Sequence, residues 1–146
     1  MNFNIAIGSV LGASEYVAEA CQAMLEEQGH TAVCHFTPNT DDFDLAEPLI
    51  IVTSTHGAGE LPENIQPFAK SLASQNLANL NTLIIGLGDS SYDTFCEGSR
   101  TIEDTIKNAG GSVKAPVFQI DVLHHPIPEE TAVEWLKQHY QTLLAS

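Results

Sequence analysis

Short apolar runs alternate along this chain with longer stretches in which apolar residues return every three or four positions. The run at 3–7, Phe3-Asn4-Ile5-Ala6-Ile7, has the length and side chains of a strand. Residues 15–28 follow with Val17, Cys21, Met24 and Leu25 on one helical face, and Gly29 supplies a stop. Residues 31–36, 49–54, 83–86 and 113–120 read as further strands, the one at 49–54 nearly all apolar. Helical spacing returns at 65–74, 99–108 and 130–144, whereas 38–48, bounded by Pro38 and Pro48, reads as an irregular crossover with at most one helical turn. Strands this short and apolar, separated by helices, predict an α/β fold in which a parallel sheet is covered on both faces. With 146 residues and no internal repeat, linker or low-complexity stretch, one domain over 1–146 is expected.

Ligands of such open sheets bind beyond the carboxyl ends of the strands, where the strand order reverses. The loops leaving the first, third and fourth strands are therefore the places to look for chemistry. The first, Gly8-Ser9-Val10-Leu11-Gly12-Ala13-Ser14, runs straight into a helix. N–H groups at a helix start lack intrahelical partners and carry partial positive charge, so the segment suits a phosphate; Ser9 and Ser14 add hydroxyls and Gly12 permits close approach. Taken alone, it is equally an ordinary Ser/Gly turn. The second loop, Thr53-Ser54-Thr55-His56-Gly57-Ala58-Gly59-Glu60-Leu61-Pro62, opens a buried strand into small polar residues. Its glycines tolerate peptide orientations that other residues resist. His56 is either a flat surface for a ring or a solvent-facing loop side chain. The third loop, Gly86-Leu87-Gly88-Asp89-Ser90-Ser91-Tyr92-Asp93-Thr94-Phe95-Cys96, places Tyr92 where an aromatic can lie against a planar ligand, with Phe95 turned toward the core. A lone loop tyrosine is usually structural, but three such loops at one sheet edge favour a ligand site.

Charge narrows the partners. The formal net charge is −14, and nucleic acids and anionic membrane surfaces are polyanions that need a basic footprint, so neither is an expected partner. Residues 1–69 hold ten acids and no Lys or Arg (−10), and residues 70–146 hold nine acids and all five bases (−4). This acidity either steers basic partners or simply maintains solubility. Cys21, Cys34 and Cys96 are an odd number without a CxxC pair, which predicts thiols that pack or line a site rather than disulfides or zinc ligands. No apolar stretch approaches the roughly 18 to 20 residues of a bilayer span. Residues 1–8 lack the basic start and apolar core of an export signal, so the cytoplasm is the expected location.

The second and third loops resemble those of flavodoxins, most closely the FMN domains of diflavin reductases, which carry similar STxGxGxxP and GLGDSSYxxFC stretches. Among free-standing proteins the chain is similar over nearly its full length to short-chain flavodoxins, including the Ser54-Thr55-His56-Gly57-Ala58-Gly59 run and the approach to the last helix from Ile127-Pro128 to Glu134-Trp135. The resemblance implies a flavodoxin-like three-layer sandwich, with a five-stranded parallel sheet in the order 2-1-3-4-5 and noncovalently bound FMN. Ser9, Val10, Leu11, Gly12, Ala13 and Ser14 would then form the phosphate loop. Leu11 and Ala13 depart from the hydroxyl-rich form of longer flavodoxins, which places more of the binding on backbone N–H groups. His56 matches the position flanking one face of the isoalloxazine and Tyr92 the one that stacks on the other. Gly57 matches the glycine whose carbonyl turns toward flavin N5 when the ring takes up one electron, and Ala58 and Gly59 continue that loop. Thr53, Ser54 and Thr55 with Gly88, Asp89, Phe95 and Cys96 would complete the walls, and Asp121 would close the rim.

By the same resemblance the chain shuttles single electrons from a flavin-dependent reductase to an iron–sulfur or other redox enzyme. It would act as a monomer with no catalytic residues, no metal and no turnover of its own. The rival readings lack their marks. A nicotinamide-dependent flavin or quinone reductase is disfavoured because Gly86-Leu87-Gly88 is followed by Asp89, Ser90 and Ser91 rather than completing GxGxxG. A signalling receiver needs acids after the first strand and an Asp after the third, where this chain has Ser9-Val10-Leu11 and Ser54-Thr55-His56. A phosphatase of this kind needs Cys and Arg in the first loop, which has neither.

Overall fold

The computed structural model describes residues 2–9, 12–55, 59–91 and 96–144. Along the chain run β1 (Asn2–Gly8), α1 (Ala13–Glu27), β2 (Thr31–His35), β3 (Leu49–Ser54), α2 (Gln66–Ala73), β4 (Asn81–Gly88), α3 (Glu97–Asn108), β5 (Ser112–Val113), β6 (Phe118–Asp121) and α4 (Pro128–His139). All strand pairs are parallel, in the order β2-β1-β3-β4, with β5 and β6 both on the far side of β4.

The expected order holds, but the fifth strand is not continuous over 113–120. Val113 lies opposite Thr82 and Phe118 opposite Ile85, so five steps along this segment cover three along β4. The two surplus residues leave the ladder around Pro116, which has no N–H to donate. The last helix also differs from its expected span over 130–144: α4 stops at His139 and the chain tightens into a 3₁₀ turn over Tyr140–Leu143. There the Thr142 hydroxyl donates to the His139 carbonyl at 2.6 Å, competing with the regular helical bond. The crossover before β3 holds a single 3₁₀ turn, Thr40–Asp42, as its composition predicts.

Both faces of the sheet are apolar because the strands alternate apolar residue with apolar residue. Ile5, Ile7, Ile50, Val52, Leu83 and Ile85 point into one core with Val17, Cys21 and Leu25 of α1 and Leu136 of α4. Ala6, Leu49, Ile51 and Ile84 point into a second core with Phe68 and Leu72 of α2 and Ile102 and Ile106 of α3. At the end of α1, Gly29 adopts φ 86°, its N–H reaches the Glu26 carbonyl at 3.0 Å, and the His30 N–H reaches Leu25 at 3.1 Å. That left-handed residue reverses the chain into β2. The register brings the strand exits level: Gly8 opposite Thr53, Ser54 opposite Leu87, Gly88 opposite Asp121. The loops that follow β1, β3, β4 and β6 therefore leave one edge side by side.

Candidate cofactor site

The first loop is built by hydrogen bonds to its own backbone. The Ser9 N–H donates to Asn64 Oδ1 at 3.0 Å, and the Gly12 N–H donates to Ser9 Oγ at 2.9 Å. Gly12 has φ 91° with open space where a Cβ would be, and its carbonyl accepts the N–H groups of Glu15 and Tyr16 to open α1. Ala13 is half-buried, while Ser14 is 1% exposed and its hydroxyl has no hydrogen-bond partner among the described residues. A buried hydroxyl without a partner costs about 1–3 kcal/mol and calls for an explanation. At the start of a helix, a bound anion supplies one. Val10 and Leu11 lie outside the described residues.

In the second loop, Thr53 is fully buried and donates to the Ser54 carbonyl at 3.0 Å; the Ser54 hydroxyl reaches the Gly8 carbonyl at 3.5 Å. Thr55 Oγ1 accepts the Gly98 N–H at 2.9 Å and so holds the first turn of α3 against the loop. The approach is close enough that a Cβ on Gly98 would stand 2.9 Å from the Ser54 carbonyl oxygen and 3.1 Å from Thr55 Oγ1. Gly59 has φ 105°. His56, Gly57 and Ala58 lie outside the described residues.

The third loop is tied to the end of β6. The Gly88 carbonyl accepts the Val122 N–H at 2.9 Å, and Asp89 Oδ1 accepts the Ser91 N–H at 2.8 Å and its hydroxyl at 2.6 Å, an Asx turn. Asp121 Oδ1 accepts N–H groups from Ser90 at 3.3 Å and Leu123 at 3.0 Å, and its Oδ2 stands 3.5 Å from His124 Nε2. Hydrogen bonding from the Ser90 side chain, aided by these backbone donors and by His124, holds the Asp121 carboxyl below the usual aspartate range despite some desolvation. Cys96 takes φ 55°, is fully buried, and points its thiol 3.6 Å from the Gly86 carbonyl. Burial, more than any neighbouring charge, pushes that thiol up to about 11. Thr53 and Cys96 thus pack beneath the loops. Tyr92 and Phe95 lie outside the described residues.

The other thiols are also packing groups. Burial pushes Cys21 up to about 12 and Cys34 up to about 11, far from the thiolate that metal binding or redox exchange requires. Among the described residues no group of three or more His, Cys, Asp or Glu is placed to hold a metal, and no helix is long and apolar enough to cross a membrane. The residue that sequence reasoning overlooked is Asn64. Its hydrogen bonds to the first loop cross 55 positions of sequence, and only its place just after a loop proline distinguishes it beforehand.

The switch in strand order between β1 and β3, and three loops meeting above it, define a doubly wound nucleotide-binding class of which flavodoxin is the standing example. The family model for flavodoxin matches residues 5–135, and the chain belongs to the flavodoxin family of FMN-binding electron-transfer proteins. It is 39% identical over 131 residues to protein MioC of Escherichia coli, covering 88% of this chain and 89% of MioC. It is 34% identical to flavodoxin YqcA of the same organism, covering 97% of each. Among solved structures, a cysteine-to-alanine mutant of the flavodoxin from Pseudomonas aeruginosa matches with a TM-score of 0.90 at 34% identity, over 99% of this chain and 100% of that one.

Proposed function

We propose that FMN binds along this sheet edge with its phosphate at the start of α1 and its ring between the second and third loops. The chain then carries single electrons from a flavin-dependent reductase to an iron–sulfur or other redox enzyme in the cytoplasm, with no turnover of its own. The observation that carries the placement is the buried Ser14 hydroxyl, unpartnered among the described residues, beside the open turn at Gly12. Ser9, Val10, Leu11, Gly12, Ala13 and Ser14 would hold the phosphate. No Lys or Arg occurs in residues 1–69, so backbone N–H groups and the two serine hydroxyls take the place of a cation.

FMN supplies the redox chemistry when bound. By the resemblance His56 and Tyr92 would flank the ring, Gly57, Ala58 and Gly59 would border its edge, and Thr55 and Gly88 would wall the pocket. Ser54, Thr53, Phe95 and Cys96 back those walls, while Asp89 and Asp121 hold the third loop in its turn. The excess of acids in the half of the chain that supplies the first two loops would disfavour negative charge on the ring and so lower the potential at which it becomes anionic. The charge of −14 draws basic patches of donor and acceptor proteins toward this edge.

Reconstitution tests the reading. The purified protein takes up FMN, releases a yellow flavin on acidification, and is reduced by a nicotinamide cofactor only when a flavin-dependent reductase is added. Reduction slows as salt rises, because the Debye length falls from about 10 Å at 0.1 M to about 3 Å at 1 M. Rapid reduction by the nicotinamide cofactor alone would convert the protein into an enzyme of the flavin-reductase type.

A further inference from the structure

We propose that Asn64 is a positioning residue that couples the phosphate end of the site to the loop beside the flavin ring, so that phosphate recognition depends on an amide outside the phosphate loop. The inference rests on the placement of FMN proposed above.

Asn64 lies between the second loop and α2, two residues past Pro62. Its Nδ2 donates to the Ile7 carbonyl at 2.7 Å and to the Phe36 carbonyl at 2.9 Å, and its Oδ1 accepts the Ser9 N–H at 3.0 Å. Both amide hydrogens and the amide oxygen are thereby used. The β1–β2 ladder ends at Ala6 opposite His35, and Ile7 and Phe36 are the next residues along the chain. Asn64 thus bridges the two strands where their own pairing stops.

The bridge continues into the site. Ser9, fixed through its N–H, accepts the Gly12 N–H on its hydroxyl at 2.9 Å, and the Gly12 carbonyl starts α1, where the Ser14 hydroxyl has no partner among the described residues. On its other side Asn64 sits inside the turn that ends the second loop, which is closed by its neighbours Ile65 and Gln66. The Pro62 carbonyl accepts the Ile65 N–H at 3.1 Å, and the Leu61 carbonyl accepts Gln66 Nε2 at 2.8 Å. A shift in the second loop is therefore carried through Asn64 to Ser9 and the helix start. Only an amide satisfies these partners. The isosteric Asp would set a carboxylate oxygen against two carbonyls, and an apolar side chain would leave all three backbone groups without this partner.

The test compares FMN with riboflavin, which lacks the phosphate, by fluorescence titration of the apoprotein, with the thermal midpoint of each apoprotein measured in parallel. Asn64→Ala and Asn64→Asp should weaken FMN binding about tenfold or more, because Ser9 and the helix start lose the amide that fixes them. Riboflavin binding should change by less than about threefold, and the rise in midpoint that inorganic phosphate gives the wild type should shrink. Asn64→Gln keeps the amide on a longer stem and should fold with an intermediate loss of selectivity; this variant carries the test if the others do not fold. Equal losses for FMN and riboflavin would reduce Asn64 to general support of the fold, and unchanged selectivity in every folded variant would overturn the proposal. A wild type that binds neither flavin would instead overturn the FMN assignment itself.

Discussion

The two ends of the same sheet are finished in opposite ways. At the amino end, Phe3, His30 and Tyr140 meet edge to face with ring centroids 5.3 to 6.3 Å apart, and Phe3 is fully buried. At the carboxyl end, β1 terminates in Gly8, and the described residues next after β1 and β3, among them Ser9, Gly12 and Thr55, carry no rings. Each end has a buried polar atom without a hydrogen-bond partner among the described residues: His30 Nδ1 at the first, Ser14 Oγ at the second. The histidine nitrogen sits among packed rings, where apolar burial and aromatic contacts offset its cost. The serine hydroxyl sits at a helix start beside an open turn, where a ligand can complete it. Ring packing closes the amino end, whereas the carboxyl end keeps polar groups that a ligand can complete.

The largest expected effect belongs to the closed end. Phe3→Ala should destabilise the fold by about 3–5 kcal/mol in denaturant titrations, the usual cost of emptying a core aromatic. Flavin affinity per folded molecule should stay within about twofold. A comparable loss of affinity at saturating stability would show that the two ends are not independent.

Gly98 lies where fold and site meet. A Cβ at this position presses on the Ser54 carbonyl and on Thr55, so Gly98→Ala should cost about 1–3 kcal/mol of stability. Unlike Phe3→Ala, it should also weaken FMN binding, because the strain falls on the second loop. Stability loss without any change in titrated affinity would remove that loop from the site.

The two unpartnered atoms give a matched pair of smaller effects. Ser14→Ala should leave the apoprotein as stable or slightly more stable while weakening FMN binding by about 0.5–1.5 kcal/mol. His30→Phe should likewise leave stability level or higher, with no change in affinity. Thermal melts with and without FMN separate the two, and a His30→Phe variant that binds FMN worse would contradict the division between the ends.

The smallest effect is one of pH. Asp121 has a depressed pKa in the folded state, so its contribution is fully present above the unfolded value of about 3.9 and is lost as pH falls through the lower folded value. Amide exchange at Ser90 and Leu123 should therefore accelerate only below about pH 4, and Asp121→Asn should show that faster exchange at neutral pH. Unchanged exchange in the variant would mean that the Val122–Gly88 backbone bond alone secures the loop.

Local order in the chain determined most of the fold. The doubled apolar pattern of residues such as Ile50, Ile51 and Val52 states that both sheet faces are covered, because neighbouring side chains on a strand point opposite ways. Glycines at 12 and 29 mark a helix start and a helix end, where positive φ is needed. The loop motifs with Thr55, Asp89 and Tyr92 named the flavin family from sequence alone. Tertiary structure decided what depends on distant partners. The break between β5 and β6 is legible only once β4 is beside them, since Pro116 by itself does not say how many residues leave the ladder. The Ser14 hydroxyl became informative only when burial left it without a partner among the described residues. Asn64 reads in sequence as one more polar loop residue, because the carbonyls it binds lie 57 and 28 positions away and converge only where the β1–β2 ladder ends.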